Sequence, residues 1–150
     1  MKQGVLSVKE TAVREGRIFM GRLPKGADLL EALTELCVRE GVILGEVRVI
    51  GAVTRARVGY YNQTGRSYQA MDWNEHLEIL CLAGNVSSKD GAPFVHVHVT
   101  LSDRFGGVRG GHLLEGTPVF AAEYVLREFA SQDGTLERAF DEETGLFLWA

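Results

Sequence analysis

The segment Phe94-Val95-His96-Val97-His98-Val99 restricts its own conformation more than any other part of this chain. β-Branched valines at every second position favour extended backbone, and an extended strand sends successive side chains to opposite faces. The valines then form one apolar face that must be buried. His96 and His98 share the other face, with Cα atoms roughly 7 Å apart. A chain built around such a strand needs a sheet with one face packed and one face carrying polar chemistry.

That polar face points to a metal. The spacing suits two imidazoles converging on one ion. Gly110-Gly111-His112-Leu113 follows closely, and its glycines permit a sharp return that adds a third ring. Three neutral imidazoles with one open position are the ligand set of a zinc-type divalent site. Because the rings must be neutral to bind, affinity is expected to fall below about pH 6. The alternative for each histidine is a hydrogen-bonded or surface residue. His76, just after Asp72-Trp73-Asn74-Glu75, reads as a solvated histidine at a loop edge. Glu78 shares a strand face with His76 and is a possible fourth ligand or second-shell partner of the metal. The competing role for Glu78 is an ion pair with Arg48, Arg55 or Arg57.

The remaining pattern describes one α+β domain over residues 1–150, with a central, largely antiparallel sheet and few flanking helices. Leu29, Leu30, Leu33, Leu36 and Cys37 recur at helical spacing, with Asp28 to start the helix and Gly41 to stop it. Strands are expected at Val5–Val8, Arg17–Leu23, within Val42–Thr54, and at Ala56–Tyr61, Leu77–Ala83, Ala92–Leu101 and Gly106–Leu113. Val119–Phe129 fits helix or strand, and Thr117-Pro118 with the Val/Phe/Tyr content favours strand. A turn at Ser102–Arg104 would join the two histidine-bearing strands. Leu77–Ala83 is apolar almost throughout, which predicts cover on both faces. Asp141–Gly145 reads as a turn before the apolar end Leu146–Trp149, which must dock on its own fold or on a neighbouring subunit. Cys37 and Cys81 lie in apolar surroundings without metal spacing and read as buried thiols.

Charge and composition narrow the function classes. The formal net charge of −4 opposes a general nucleic-acid footprint. A local patch is offered by Arg48, Arg55 and Arg57, which lie close together, and by Arg104 and Arg109, which flank the first glycine pair. No apolar run approaches the roughly 20 residues of a membrane span, and the first residues carry no apolar signal core, so a cytoplasmic protein is expected. Gly106-Gly107 and Gly110-Gly111 do not sit between a strand and a helix as a phosphate-cradling loop would.

Four stretches also carry a family resemblance: Ile43–Tyr61 (ILGEVRVIGAVTRARVGYY), His76–Val86 (HLEILCLAGNV), Pro93–Asp103 (PFVHVHVTLSD) and Gly106–Pro118 (GGVRGGHLLEGTP). Together they resemble the PPC domain, the plants and prokaryotes conserved domain. The resemblance implies a compact α+β homotrimer with a central antiparallel sheet. In the prokaryotic single-domain form it also implies a three-histidine metal site, which falls here on His96, His98 and His112. In plants the domain is joined to Arg-Gly-Arg-Pro AT-hooks, and prokaryotic members carry a DNA-binding label. This sequence contains no Arg-Gly-Arg-Pro. The leading expectation is a homotrimer that binds a divalent metal, zinc first, without established catalysis. A DNA-binding or regulatory module is one alternative. A metal-dependent hydrolase or lyase is the other, with Glu78, Asp103 or Glu115 as its acid or base.

Overall fold

The computed structural model describes residues 8–150. The expected strand at Val5–Val8 falls almost wholly outside them. β1 (Val13–Leu23) leads through the Pro24-Lys25-Gly26 turn into α1 (Leu29–Glu40). Seven strands follow: β2 (Gly45–Val53), β3 (Ala56–Asn62), β4 (Ser67–Trp73), β5 (Leu77–Lys89), β6 (Ala92–Ser102), β7 (Val108–Leu113) and β8 (Val119–Ser131). A terminal hairpin is made by β9 (Arg138–Asp141) and β10 (Leu146–Trp149). The first eight strands form one sheet in the order β1-β8-β2-β5-β6-β7-β3-β4, and its ladders are antiparallel throughout. An α+β architecture with one helix on one face of an antiparallel sheet is the expected class.

The helix begins and ends for local reasons. Asp28 Oδ1 accepts the backbone N–H groups of Leu30 and Glu31, satisfying donors that have no partner inside the helix. Gly41 stops it in the left-handed region at φ 68°, where a Cβ would be strained. Asp28 Oδ2 accepts from the N–H groups of Gly116 and Thr117, tying the helix start to the loop after β7. Leu29, Leu33, Leu36 and Cys37 face inward. They meet Val47, Val49, Leu82, Val95, Val97, Val99, Leu113 and Leu126 from the sheet in a single core.

Alternation along β6 sorts its side chains as the sequence requires. Val95, Val97, Val99 and Leu101 are buried under the helix. Phe94, His96, His98 and Thr100 project from the outer face, away from that core. The same outer face carries Met20, Ile50 and Leu80, which are 79%, 58% and 48% exposed.

Several expectations need correcting. β5 is not covered on both faces: Leu77, Ile79 and Leu82 are buried, whereas Glu78, Leu80 and Cys81 are exposed. A register shift between Ile79 and Cys81 disturbs the alternation, so an apolar run here marks an open outer face as well as a core face. Cys37 is buried as expected, but Cys81 is exposed. The turn between the histidine strands lies after Ser102, where the Asp103 carboxylate accepts the N–H groups of Phe105 and Gly107. β4 was not expected at all. The apolar end forms β10 against β9, with Phe140 and Phe147 still 58% and 43% exposed.

Candidate metal centre

Register brings the three histidines together. His98 of β6 lies directly opposite His112 of β7, and His96 follows two residues back along the same face of β6. The ring centroids are 5.1 to 5.5 Å apart pairwise. One nitrogen from each ring lies within 4.8 Å of the other two. Nitrogens on one tetrahedral zinc at 2.0–2.1 Å are roughly 3.3 Å apart, so modest ring rotations close the triangle.

The surroundings favour the neutral form of two of these rings, His96 and His112. Burial, with the nearby His96, His98 and Arg138, pushes the His112 imidazole down to about 4. His96 is lowered by burial, with help from Arg138 and His98. A ring that resists protonation keeps its lone pair for a Lewis acid. His112 Nδ1 is also buried without a hydrogen-bond partner. A buried polar nitrogen left unpaired is costly unless something occupies that position, and a metal would satisfy it. The donor set therefore fits a zinc-type ion on geometry, protonation state and hydrogen-bond accounting.

The neighbouring strands prepare this corner. Gly59 lies opposite His112, and a Cβ there would come within 2.9 Å of the Tyr68 ring. The missing side chain lets Tyr68 of β4 settle beside His112 at 4.9 Å between centroids. Arg138 at the start of β9 donates from Nε to Ser87 Oγ and from Nη2 to Asn85 Oδ1. Asn85 and Ser87 are the register partners of His96 and Phe94, so the guanidinium lies against the outer face beside the histidines. Tyr68 and Arg138 escaped the sequence reading. Their strands are short, and only tertiary structure carries them to the site.

Other candidate residues lie elsewhere. Glu78 pairs in register with Ser102, four residues along β6 from His98, and lines a separate cleft with His76, Asp103 and Phe120. At roughly 3.4 Å per residue it stands more than 10 Å along the sheet from the cluster. Its anticipated arginine partners are placed differently: Arg57 pairs with Asp72 at 3.8 Å. Arg109 pairs with Glu75 and lies over the Trp73 ring. His76 is exposed in the connection between β4 and β5, as expected.

Comparison with known proteins places the fold in a family. Residues 10–130 match the model of the Plants and Prokaryotes Conserved (PCC) domain. The chain belongs to the PCC domain family. Among solved structures, a metal-containing protein of Archaeoglobus fulgidus is similar at 42% identity and a TM-score of 0.89, covering 95% of this chain and 99% of the other. A plant- and prokaryote-conserved protein of Pyrococcus horikoshii is similar at 35% identity and a TM-score of 0.88, covering 95% and 97%. A candidate DNA-binding protein of Bacteroides thetaiotaomicron, 22% identical with a TM-score of 0.81, covers 92% and 96% and shares the fold. Among curated proteins, the bifunctional protein GlmU of a Synechococcus strain is 34% identical over 131 residues, or 86% of this chain. This PCC chain spans about a fifth of that relative's length, 19%.

Proposed function

We propose that this PCC-domain protein holds one zinc-type divalent ion on His96, His98 and His112. It acts as a metal-binding protein: none of Glu78, Asp103 and Glu115 lines the cavity of the three histidines, and the carboxylate that does, Glu143, is exposed. The observation that carries the reading is the convergence of one ring nitrogen from each of the three histidines within 4.8 Å of one another, beside a His112 Nδ1 that is buried without a hydrogen-bond partner. The metal-containing relative at 42% identity supports it. A bound ion would supply Lewis acidity at an open position. The chain's part is to present three imidazoles on two adjacent strands and to hold His96 and His112 against protonation.

The hydrolase or lyase alternative needs a general acid or base close to that ion. Glu78 stands far along the sheet. Asp103 is occupied by two backbone N–H groups, with the donor from Phe105 foremost in holding its carboxyl below the usual range. Glu115 is exposed beyond the end of β7. The DNA-binding alternative needs a continuous basic surface. Arg48 on β2 and Arg57 on β3 are separated in the sheet by β5, β6 and β7, and Arg57 and Arg109 are paired with carboxylates.

We also propose that the exposed outer face around Met20, Ile50 and Leu80 is covered in a homotrimer, since three large apolar side chains on one face favour burial. No helix among the described residues is long and apolar enough to cross a membrane.

The test is metal content by mass spectrometry of untagged protein beside His98→Ala, with the mass in solution measured by light scattering. About one ion per chain, lost in the variant, is the expected result. Wild-type protein that stays metal-free after incubation with Zn²⁺ would overturn the reading. A monomeric mass would overturn the trimer.

A further inference from the structure

Arg138 is 7% exposed, yet no carboxylate among the described residues lies within ion-pairing distance of it. Buried guanidinium groups are ordinarily paired, because removing a cation from water is costly without an opposite charge. Its three hydrogen bonds go to neutral acceptors: Ser87 Oγ at 2.8 Å, the Phe147 carbonyl at 3.0 Å and Asn85 Oδ1 at 2.9 Å. A guanidinium has five N–H donors. Two therefore remain, one on each terminal nitrogen.

Those donors belong to a side chain lining a cavity of about 390 Å³, which is also lined by His96 and His112. Arg66 contributes a second cation to the lining, and no Asp or Glu is part of it. Phe94, Leu146 and Phe147 make an apolar wall. Three neutral imidazoles leave the full charge of a divalent ion uncompensated, and Arg138 adds one more. The cavity thus offers two sources of attraction for negative charge beside an apolar wall, with Tyr61, Ser67 and Tyr68 adding polar groups to the lining. Its volume is at the small end of ligand pockets.

We propose that this cavity binds a small organic carboxylate. One oxygen would be directed at the open position of the histidine-bound metal, the carboxylate would be held by the two free N–H groups of Arg138, and the apolar body would lie against Phe94 and Phe147. This rests on the metal reading for the first of those contacts only. A planar carboxylate meets the two remaining donors oxygen for oxygen, and the apolar wall of Phe94, Leu146 and Phe147 favours an organic body that inorganic phosphate lacks. Arg138 and the wall residues Leu146 and Phe147 lie beyond residues 10–130, the portion matched by the family model. Ligand recognition here is therefore assigned to the terminal hairpin, and metal binding to the shared sheet.

The experiment is calorimetric titration of the zinc-loaded protein, metal content verified beforehand, with benzoate, benzyl alcohol and inorganic phosphate as probes. Benzoate is expected to bind, with at least tenfold preference over benzyl alcohol and over phosphate. Arg138→Gln is expected to keep its zinc and to weaken benzoate at least tenfold. Leu146→Glu, which adds a carboxylate to the cavity wall without touching Arg138, is expected to weaken benzoate while sparing zinc, and it serves if Arg138→Gln does not fold. Zinc-loaded protein that ignores benzoate, or prefers phosphate, overturns this proposal and leaves the metal reading intact. Protein that never retains zinc overturns the metal reading, and benzoate binding sensitive to the hairpin variants would then still uphold the Arg138 contact.

Discussion

The approach of β5 to β6 gives a sharp test of how the fold holds the site. Gly84 of β5 lies opposite Val97, between the two histidines in sequence. A Cβ at Gly84 would overlap the His96 carbonyl oxygen and stand 2.6 Å from Val97 Cα, where ordinary contact begins at 3.4 Å. Clearing Val97 Cα alone parts the strands by about 0.8 Å, and clearing the His96 carbonyl oxygen demands more. A ladder hydrogen bond of roughly 2.9 Å would stretch to about 3.7 Å, beyond useful length. Losing about two such bonds costs about 2 kcal/mol, and residual overpacking adds about 1 kcal/mol. The better strand propensity of Ala returns about 0.5 kcal/mol. The net loss is about 2–3 kcal/mol, which moves a urea midpoint down by roughly 1 M or more at ordinary m-values. Because the displaced segment includes His96, zinc affinity is expected to fall at least tenfold in the same variant. Both should be measured at fixed protomer concentration, since any self-association contributes to apparent stability. Gly65→Ala, whose Cβ would meet nothing closer than 3.4 Å, is the control and should be near neutral. A Gly84→Ala protein with the wild-type midpoint and wild-type zinc affinity would refute the argument.

Three further outcomes are expected. The His112 imidazole titrates near 4 in the folded chain and near 6.5 when unfolded, so between those values only the unfolded state gains its proton. Metal-free protein should lose stability as the pH falls from about 6.5 to 4, and zinc release followed with a chromophoric chelator should have its midpoint below pH 6.5; a midpoint above that contradicts the assigned environment. Asp28→Ala removes a carboxylate that accepts four backbone N–H groups and should cost about 2 kcal/mol in denaturant melts; a change under 0.5 kcal/mol would show that these bonds contribute little. Cys81 should react with a thiol reagent in the native protein. Cys37, buried and raised to about 11 by that burial, should react only on unfolding, and equal native rates would contradict this packing.

Much of this was legible because period-two alternation in β6 is unambiguous. Valines at 95, 97 and 99 had to be buried, which forced His96 and His98 to the other face, and the glycines before His112 announced the return strand. Asp28 and Gly41 marked the helix ends through backbone chemistry that acts locally. Glu78 was misjudged because alternation says which face a residue takes but not how far along the sheet it stands. The register Glu78–Ser102 settles that distance, and register is a tertiary property. Leu80 and Cys81 misled for a related reason: hydrophobic composition cannot distinguish the helix-covered face from an outer face left open to another surface. Arg138 left no local trace, since a single arginine in a polar tail becomes unusual only once folding has buried it away from every carboxylate.

The hairpin of β9 and β10 forms its own two-stranded sheet, anchored to β5 through the bonds of Arg138 to Ser87 and Asn85 and through the Ser88–Leu136 backbone bond. Its sequence can therefore drift, lengthen or be swapped while the eight-stranded sheet keeps both its hydrophobic core and its three imidazoles. Selection acting on what enters the cavity and selection acting on whether the chain folds would fall on different codons. Chemistry at the cavity would then be open to change by redecorating one short edge of the fold.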